Sequence, residues 1–178
     1  VETQAGKGAV DWEEPLHFGS PGVTGTGCGN ELAAAADLVI GIGTRFQDFT
    51  TGSWTVFSAP GRKLLSINIH GHDAAKRGAQ SLVCDAKVAL EKIGAALGDH
   101  AFADPDFAAR DAWFRTTDWL MAPPSDTNAL PSDAQVIGAV QRQCGKNSIV
   151  MCAAGTMPGA LQVLWRAARG GYHMEYGY

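Results

Sequence analysis

Leu38-Val39-Ile40-Gly41-Ile42-Gly43 is a short apolar run bounded by Asp37 on one side and by glycines within and after it. Its length and its branched residues point to a buried strand, since helices need longer stretches with a 3.6-residue period. Two similar runs follow, Leu64-Leu65-Ser66-Ile67-Asn68-Ile69 and Ser81-Leu82-Val83-Cys84. Helical segments lie around them. Glu31 to Ala36 closes a helix that feeds the first strand. Asp85 is placed to N-cap the next helix, where Ala86, Ala89, Leu90, Ile93 and Leu97 repeat at helical spacing before Gly98 stops it. Strands alternating with helices predict an α/β fold, a mostly parallel, Rossmann-like sheet with helices on both faces.

Further along, Asp106 to Leu120 reads as a helix with Phe107, Trp113, Phe114 and Leu120 as its buried side. Residues 121–131 hold Pro123, Pro124 and Pro131 among small polar residues, which makes them a linker between a first domain, 1–120, and a second piece, 132–178. The second piece opens with Ser132-Asp133-Ala134-Gln135, a capping box in which Ser and Gln each satisfy the other's free backbone N–H. A helix through Val136, Ile137 and Val140 then ends near Gly145. Ser148 to Ala153 is a buried strand, and Gly155-Thr156-Met157-Pro158-Gly159 turns into another helix. The last residues, Tyr172 to Tyr178, form a strand-like run with a turn signal at Gly177, so the second α/β piece reads as unfinished and the chain as a fragment. No internal repeat emerges.

The 178 residues are 46 % apolar and 18 % charged with a net charge of −4, a soluble globular balance that offers nothing to nucleic acid or to an anionic membrane. The longest apolar run, Leu32 to Ile42, is broken by Asp37 and falls short of the roughly 20 residues a bilayer requires. The four cysteines, Cys28, Cys84, Cys144 and Cys152, contain no C-x-x-C pair. They read as reduced structural thiols in a cytoplasmic protein rather than as a disulfide framework or a zinc site.

Several segments invite a ligand. The glycine-rich stretch Gly19 to Gly29 precedes a helix, where it is either a phosphate cradle or a tight loop packed on the fold. Gly41-Ile42-Gly43 follows a strand, but Phe46 stands where a dinucleotide fingerprint needs its third glycine, the segment continues as a polar loop, and the next strand ends in Asn68 rather than a ribose-binding acid. No phosphate-binding P-loop and no nucleophile elbow are present. Arg45 stands just past a strand's carboxyl end and either meets an anion or ties down the loop at Asp48. His70 and His72 are two apart at a strand end. Zinc would need a third ligand, strand alternation directs Asp73 elsewhere, and no metal site is expected. His17, His100 and His173 are isolated and read as structural. Glu175 is either a plain surface carboxylate or an acid near a functional break.

At these residues the chain resembles thiamine-diphosphate-dependent enzymes of the acetolactate-synthase type. Gly6-Lys7-Gly8-Ala9, the loop Gly19 to Thr26, Ala36-Asp37-Leu38 through Arg45-Phe46-Gln47-Asp48, and Leu65-Ser66-Ile67-Asn68-Ile69 match the order and spacing of that family's middle domain over most of residues 1–98. Ala153 to Gly159, Leu164-Trp165-Arg166 and Tyr172 to Tyr178 are similar to one branch of it, the trihydroxycyclohexane-dione hydrolases of myo-inositol breakdown. Glu2 to Lys7 and Phe49-Thr50-Thr51 fit the same branch.

The resemblance implies a longer protein of three α/β domains that uses thiamine diphosphate and Mg²⁺ and assembles as a homo-oligomer. A glutamate of the first domain and a magnesium motif of the third, neither present here, would do the chemistry. Within this chain the resemblance implies no catalytic residue and no metal ligand. It implies weak cofactor contacts at Gly155, Thr156 and Gly177, effective only in the full-length enzyme, and no FAD in the middle domain. A synthase with bound FAD, or a stand-alone nucleotide-binding module, are the alternatives.

Overall fold

The structure, a computed structural model, describes residues 1–103, 105–126 and 128–175. Its order is α1 (Gly27–Ala35), β1 (Leu38–Ile42), α2 (Asp48–Thr51), β2 (Lys63–Asn68), α3 (Gly71–Ala74), β3 (Gln80–Val83), α4 (Ala86–Leu97), α5 (Ala108–Leu120), α6 (Asp133–Gln143), β4 (Val150–Cys152), α7 (Thr156–Leu164) and β5 (Tyr172–Met174). The strands form two sheets, β1-β2-β3 and β4-β5. Every strand pair among the described residues is parallel, with Ile40 opposite Leu65 and Ile67 opposite Leu82 in the first sheet. This is the expected parallel α/β architecture.

Local signals set the helix ends. Asp85 accepts from the Val88 N–H at 3.1 Å, and Ser132 and Gln135 form the full capping box. Other bounds move. The first helix starts earlier than the sequence suggested, because Thr26 caps it by accepting from Gly29 N–H. The polar loop after β1 contains one helical turn, α2. The strand expected over Ser148 to Ala153 shrinks to three residues, with Met151 largely exposed.

Burial is uneven. Ile67 of the central strand is fully enclosed, whereas Leu38, Ile40 and Ile42 of the edge strand β1 are nearly half exposed. Leu120, expected on the buried side of its helix, is partly exposed, and Thr117 is the buried residue there. Cys84 lies one residue beyond β3 and is only half-buried. Met121, Ile137, Leu164, Trp165, Ala167, Tyr172 and Met174 form a hydrophobic core around β4, α6 and α7. Met121, placed in the linker by its proline-rich neighbours, is thus a core residue. Its backbone lies directly against Gly138 of α6.

The N-terminal segment and α5 are tied to each other and to the residues around β5. Trp12 N–H donates to Ala167 O at 3.1 Å, and Gly170 N–H to Gly8 O at 2.7 Å. The Arg110 guanidinium on α5 donates to His17 O at 2.9 Å, while Arg166 pairs with Asp118 of the same helix. Long-range hydrogen bonds of this kind are invisible to local pattern reading.

Candidate functional site

Ligands of open parallel sheets bind beyond the carboxyl ends of the strands. Here the carboxyl ends of both sheets open onto one cleft. Past β1 come Gly43, Thr44 and Arg45; past β4 come Ala154 and Gly155. Three adjoining cavities of about 820, 120 and 230 Å³ lie there, and Gln4 and Phe49 line each of them. A separate cavity of about 390 Å³ beside Trp12 and Ser148 lies at the amino end of β4, away from that region.

Gln4 is positioned by anchors on both sides. Glu2 is buried; its carboxylate accepts from Val10 N–H at 2.8 Å and meets His17 Nε2 at 3.0 Å. Burial works to raise the Glu2 pKa, but the His17 and Val10 hydrogen bonds outweigh it and hold the carboxyl below its ordinary range. Lys7, also buried, donates to Gln162 O at 3.0 Å and lies over the Tyr172 ring. Burial pushes its pKa down to about 8. The chain between these anchors carries Gln4 into the cleft.

The glycine-rich stretch is a tight loop. The N–H groups of Gly22, Val23, Gly25, Thr26 and Gly29 are all engaged within the protein, by Asn30, Phe49, Gly22, Ser20 and the Thr26 hydroxyl respectively. A phosphate cradle needs such donors free. What the loop does instead is hold Phe49: Val23 N–H donates to Phe49 O at 2.8 Å. Phe46 is buried over Gly41, with its ring 5.7 Å from that of Trp54. Asn68 is spent on the loops, donating to Thr44 O at 3.1 Å and accepting from His70 N–H at 2.9 Å. Both positions that failed the dinucleotide fingerprint are therefore occupied by packing and turn contacts.

The larger cavity is cationic. Arg45, His72, Lys76 and Arg77 line it against one carboxylate, Asp48. Among the described residues the Arg45 guanidinium and the Asp48 carboxylate enter no ion pair, so Arg45 does not tie down that loop. Arg77 lies over the Trp54 ring at 4.9 Å. The 230 Å³ cavity is different: it is lined by Gln4, Thr24, Phe49, Gly155, Pro158 and Met174 among others, none of them charged. Gly155 has φ 140° and ψ −171°, a conformation open essentially to glycine alone, and it turns β4 into α7 at Thr156. Gly177, the third expected contact, lies outside the described residues. Glu175 is exposed, and its N–H donates to Cys152 O at 2.7 Å.

Asp73 requires a correction. After His70 the chain does not continue as a strand but coils into the single turn α3, so alternation does not apply and Asp73 returns to the side of His70.

The family described as "Thiamine pyrophosphate enzyme, central domain" matches residues 1–93. The chain belongs to the thiamine pyrophosphate enzyme family. Among its relatives are proteins named 3D-(3,5/4)-trihydroxycyclohexane-1,2-dione hydrolase from Geobacillus thermodenitrificans, 38 % identical over 100 % of this chain and 31 % of that protein. Its namesakes from Clostridium perfringens and Bacillus licheniformis are 36 % and 35 % identical over 99 % and 100 % of this chain and 32 % of each relative. The chain spans about a third of the length of the curated relatives it matches.

Of the residues singled out in the sequence, Gly155 lines the uncharged cavity, with Thr156 next to it in the chain, and Arg45 and His72 line the cationic one. Gln4 and Phe49 were legible only as parts of a family match. Their shared position depends on contacts across the whole chain. The cavity beside the Gly155 turn is lined by no charged residue, so its lining offers no carboxylate to a metal-bound diphosphate.

Proposed function

We propose that the polypeptide carrying this chain is a thiamine-diphosphate-dependent hydrolase that cleaves a C–C bond of 3D-(3,5/4)-trihydroxycyclohexane-1,2-dione. The observation that carries this reading is the 33–38 % identity that runs through the whole chain, beyond the central-domain match, to proteins of that name. Thiamine diphosphate, with Mg²⁺ on its phosphates, supplies the electron sink for breaking the bond. This chain's own residues orient and enclose: the glycine-pinned turn at Gly155 and Thr156 forms one wall, and Gln4 and Phe49 close the space beside it. The same reading divides the chain into a central domain, 1–120, a connection, 121–131, and the start of the cofactor-binding domain, 132–178. It joins them to further domains of the same polypeptide in a cytoplasmic homo-oligomer. Four free thiols accord with a reducing compartment, and no helix among the described residues is long and apolar enough to cross a membrane.

The assay is direct. The intact enzyme is expected to open the ring of the dione and to leave pyruvate unchanged. Turnover of pyruvate alone would reassign it to a synthase.

The chain by itself is expected not to hold thiamine diphosphate. Gly155 and Thr156 offer a few backbone N–H groups and a hydroxyl, each net hydrogen bond worth about 1 kcal/mol. Association costs roughly 4–15 kcal/mol in lost freedom, and a diphosphate normally needs Mg²⁺ with one or two carboxylates. Calorimetry of residues 1–178 with thiamine diphosphate and excess Mg²⁺ is expected to give no saturable heat. Micromolar binding would reveal a complete site within this chain.

A further inference from the structure

The turn that follows β2 assembles three metal-ligating side chains. Asn68 accepts from His70 N–H, Ala74 N–H donates to His70 O at 3.0 Å, and the one-turn helix between them swings residues 70, 72 and 73 to the same side. His70 Nδ1 lies 3.4 Å from one Asp73 carboxylate oxygen and His72 Nδ1 3.9 Å from the other. The ligand atoms of all three residues fall within 4.8 Å of one another. Around a tetrahedral ion with N and O ligands at about 2.0–2.1 Å, neighbouring ligand atoms sit roughly 3.4 Å apart. The His70–Asp73 separation matches that value, and His72, whose nearer carboxylate oxygen is the other one, has only to turn its side chain, which is 77 % exposed, to bring its ring nitrogen from within 4.8 Å to ligand distance.

The carboxylate is already held in place. Asp73 is only 14 % exposed, and Lys76 Nζ grips one of its oxygens at 2.6 Å, leaving the other toward His70. A ligating carboxylate commonly has such an outer partner fixing its orientation.

We propose that His70, His72 and Asp73 bind a divalent transition-metal ion at the rim of the cleft. Two imidazoles and one carboxylate suit Zn²⁺, Co²⁺, Ni²⁺ or Cu²⁺, not the all-oxygen shells of Mg²⁺ or Ca²⁺. The site is therefore distinct from any magnesium held by a diphosphate, and it does not depend on the reaction proposed above. His72 also lines the cationic cavity, so the ion's remaining positions face water or an anion lodged there. The nearby charges of Lys76 and Arg45 oppose a dication and make the affinity modest.

The test is titration of the intact polypeptide with Co²⁺, read by its visible absorption, for the wild type, His70→Ala/His72→Ala and Asp73→Asn. The wild type is expected to take up one more equivalent than the double variant, Asp73→Asn to bind at least tenfold more weakly, and excess Mg²⁺ to leave the bound Co²⁺ in place. Because both histidines are exposed, the double variant keeps its fold, which circular dichroism verifies. Equal Co²⁺ stoichiometry and spectra in the wild type and the double variant, or ready displacement by Mg²⁺, would overturn the proposal.

Discussion

Gly22→Ala is expected to lower stability by about 3–5 kcal/mol, at the upper end of what a single substitution does. Gly22 has φ 105°, which an alanine adopts only under strain of roughly 1–3 kcal/mol. A methyl group there would also stand 1.9 Å from the Phe49 carbonyl oxygen and 2.8 Å from the Thr50 backbone, neither of which is a flexible side-chain end. Relief requires moving α2 away from the loop, which breaks the Val23–Phe49 hydrogen bond and displaces Phe49 from the cleft. Gly27→Ala is the matched control. It lies at the start of α1 with nothing within 4 Å of a new methyl group, so it is expected to change stability by less than about 1 kcal/mol. Urea unfolding of both variants, compared at equal slope, decides. Equal midpoints for the two would show that the loop is not held as described.

The second large effect is in pH. Lys7 is buried, and its pKa falls from 10.5 to about 8 because burial disfavours the ammonium, with Glu2 opposing that shift. The sign follows from linkage. Between pH 8 and 10.5 the unfolded chain binds more protons at this site than the folded one, so folding stability rises with pH across that window. Below pH 8 the penalty is fully present, and a shift of this size corresponds to roughly 3 kcal/mol. Lys7→Met removes the titration. The stability of the wild type relative to Lys7→Met is therefore expected to climb by about that amount from pH 7.5 to 10.5. Parallel curves for the two proteins, from urea midpoints at each pH, would place the ammonium in contact with water. Glu2 works in the opposite range. Its depressed pKa gives stability above the ordinary carboxylate range that is lost as pH falls through the folded value.

How much of this could be read from the chain alone depends on how far each cause lies along it. The strands at Leu38 and Leu64, the Asp85 cap and the Ser132–Gln135 box are each specified within a few residues, because a strand's period and a cap's hydrogen bonds are local. The motif order around Arg45-Phe46-Gln47-Asp48 was enough to identify the family. The turn at Gly155 was legible for the same reason, since its glycine precedes a helix start.

Tertiary structure alone decided the rest. Gln4 reaches the cleft because Lys7 meets Gln162, 155 residues away, and Phe49 because the glycine-rich loop grips its carbonyl. Met121 sits in a proline-rich stretch yet is core, because α6 offers Gly138 as a place for its backbone to dock. The half-exposed side of β1 and the return of Asp73 toward His70 likewise follow from how the chain turns after each strand. Composition and periodicity specify which residues prefer water or a pleat. They do not specify which distant surfaces close against each other, because that is settled by packing volumes and hydrogen-bond partners far apart in the chain.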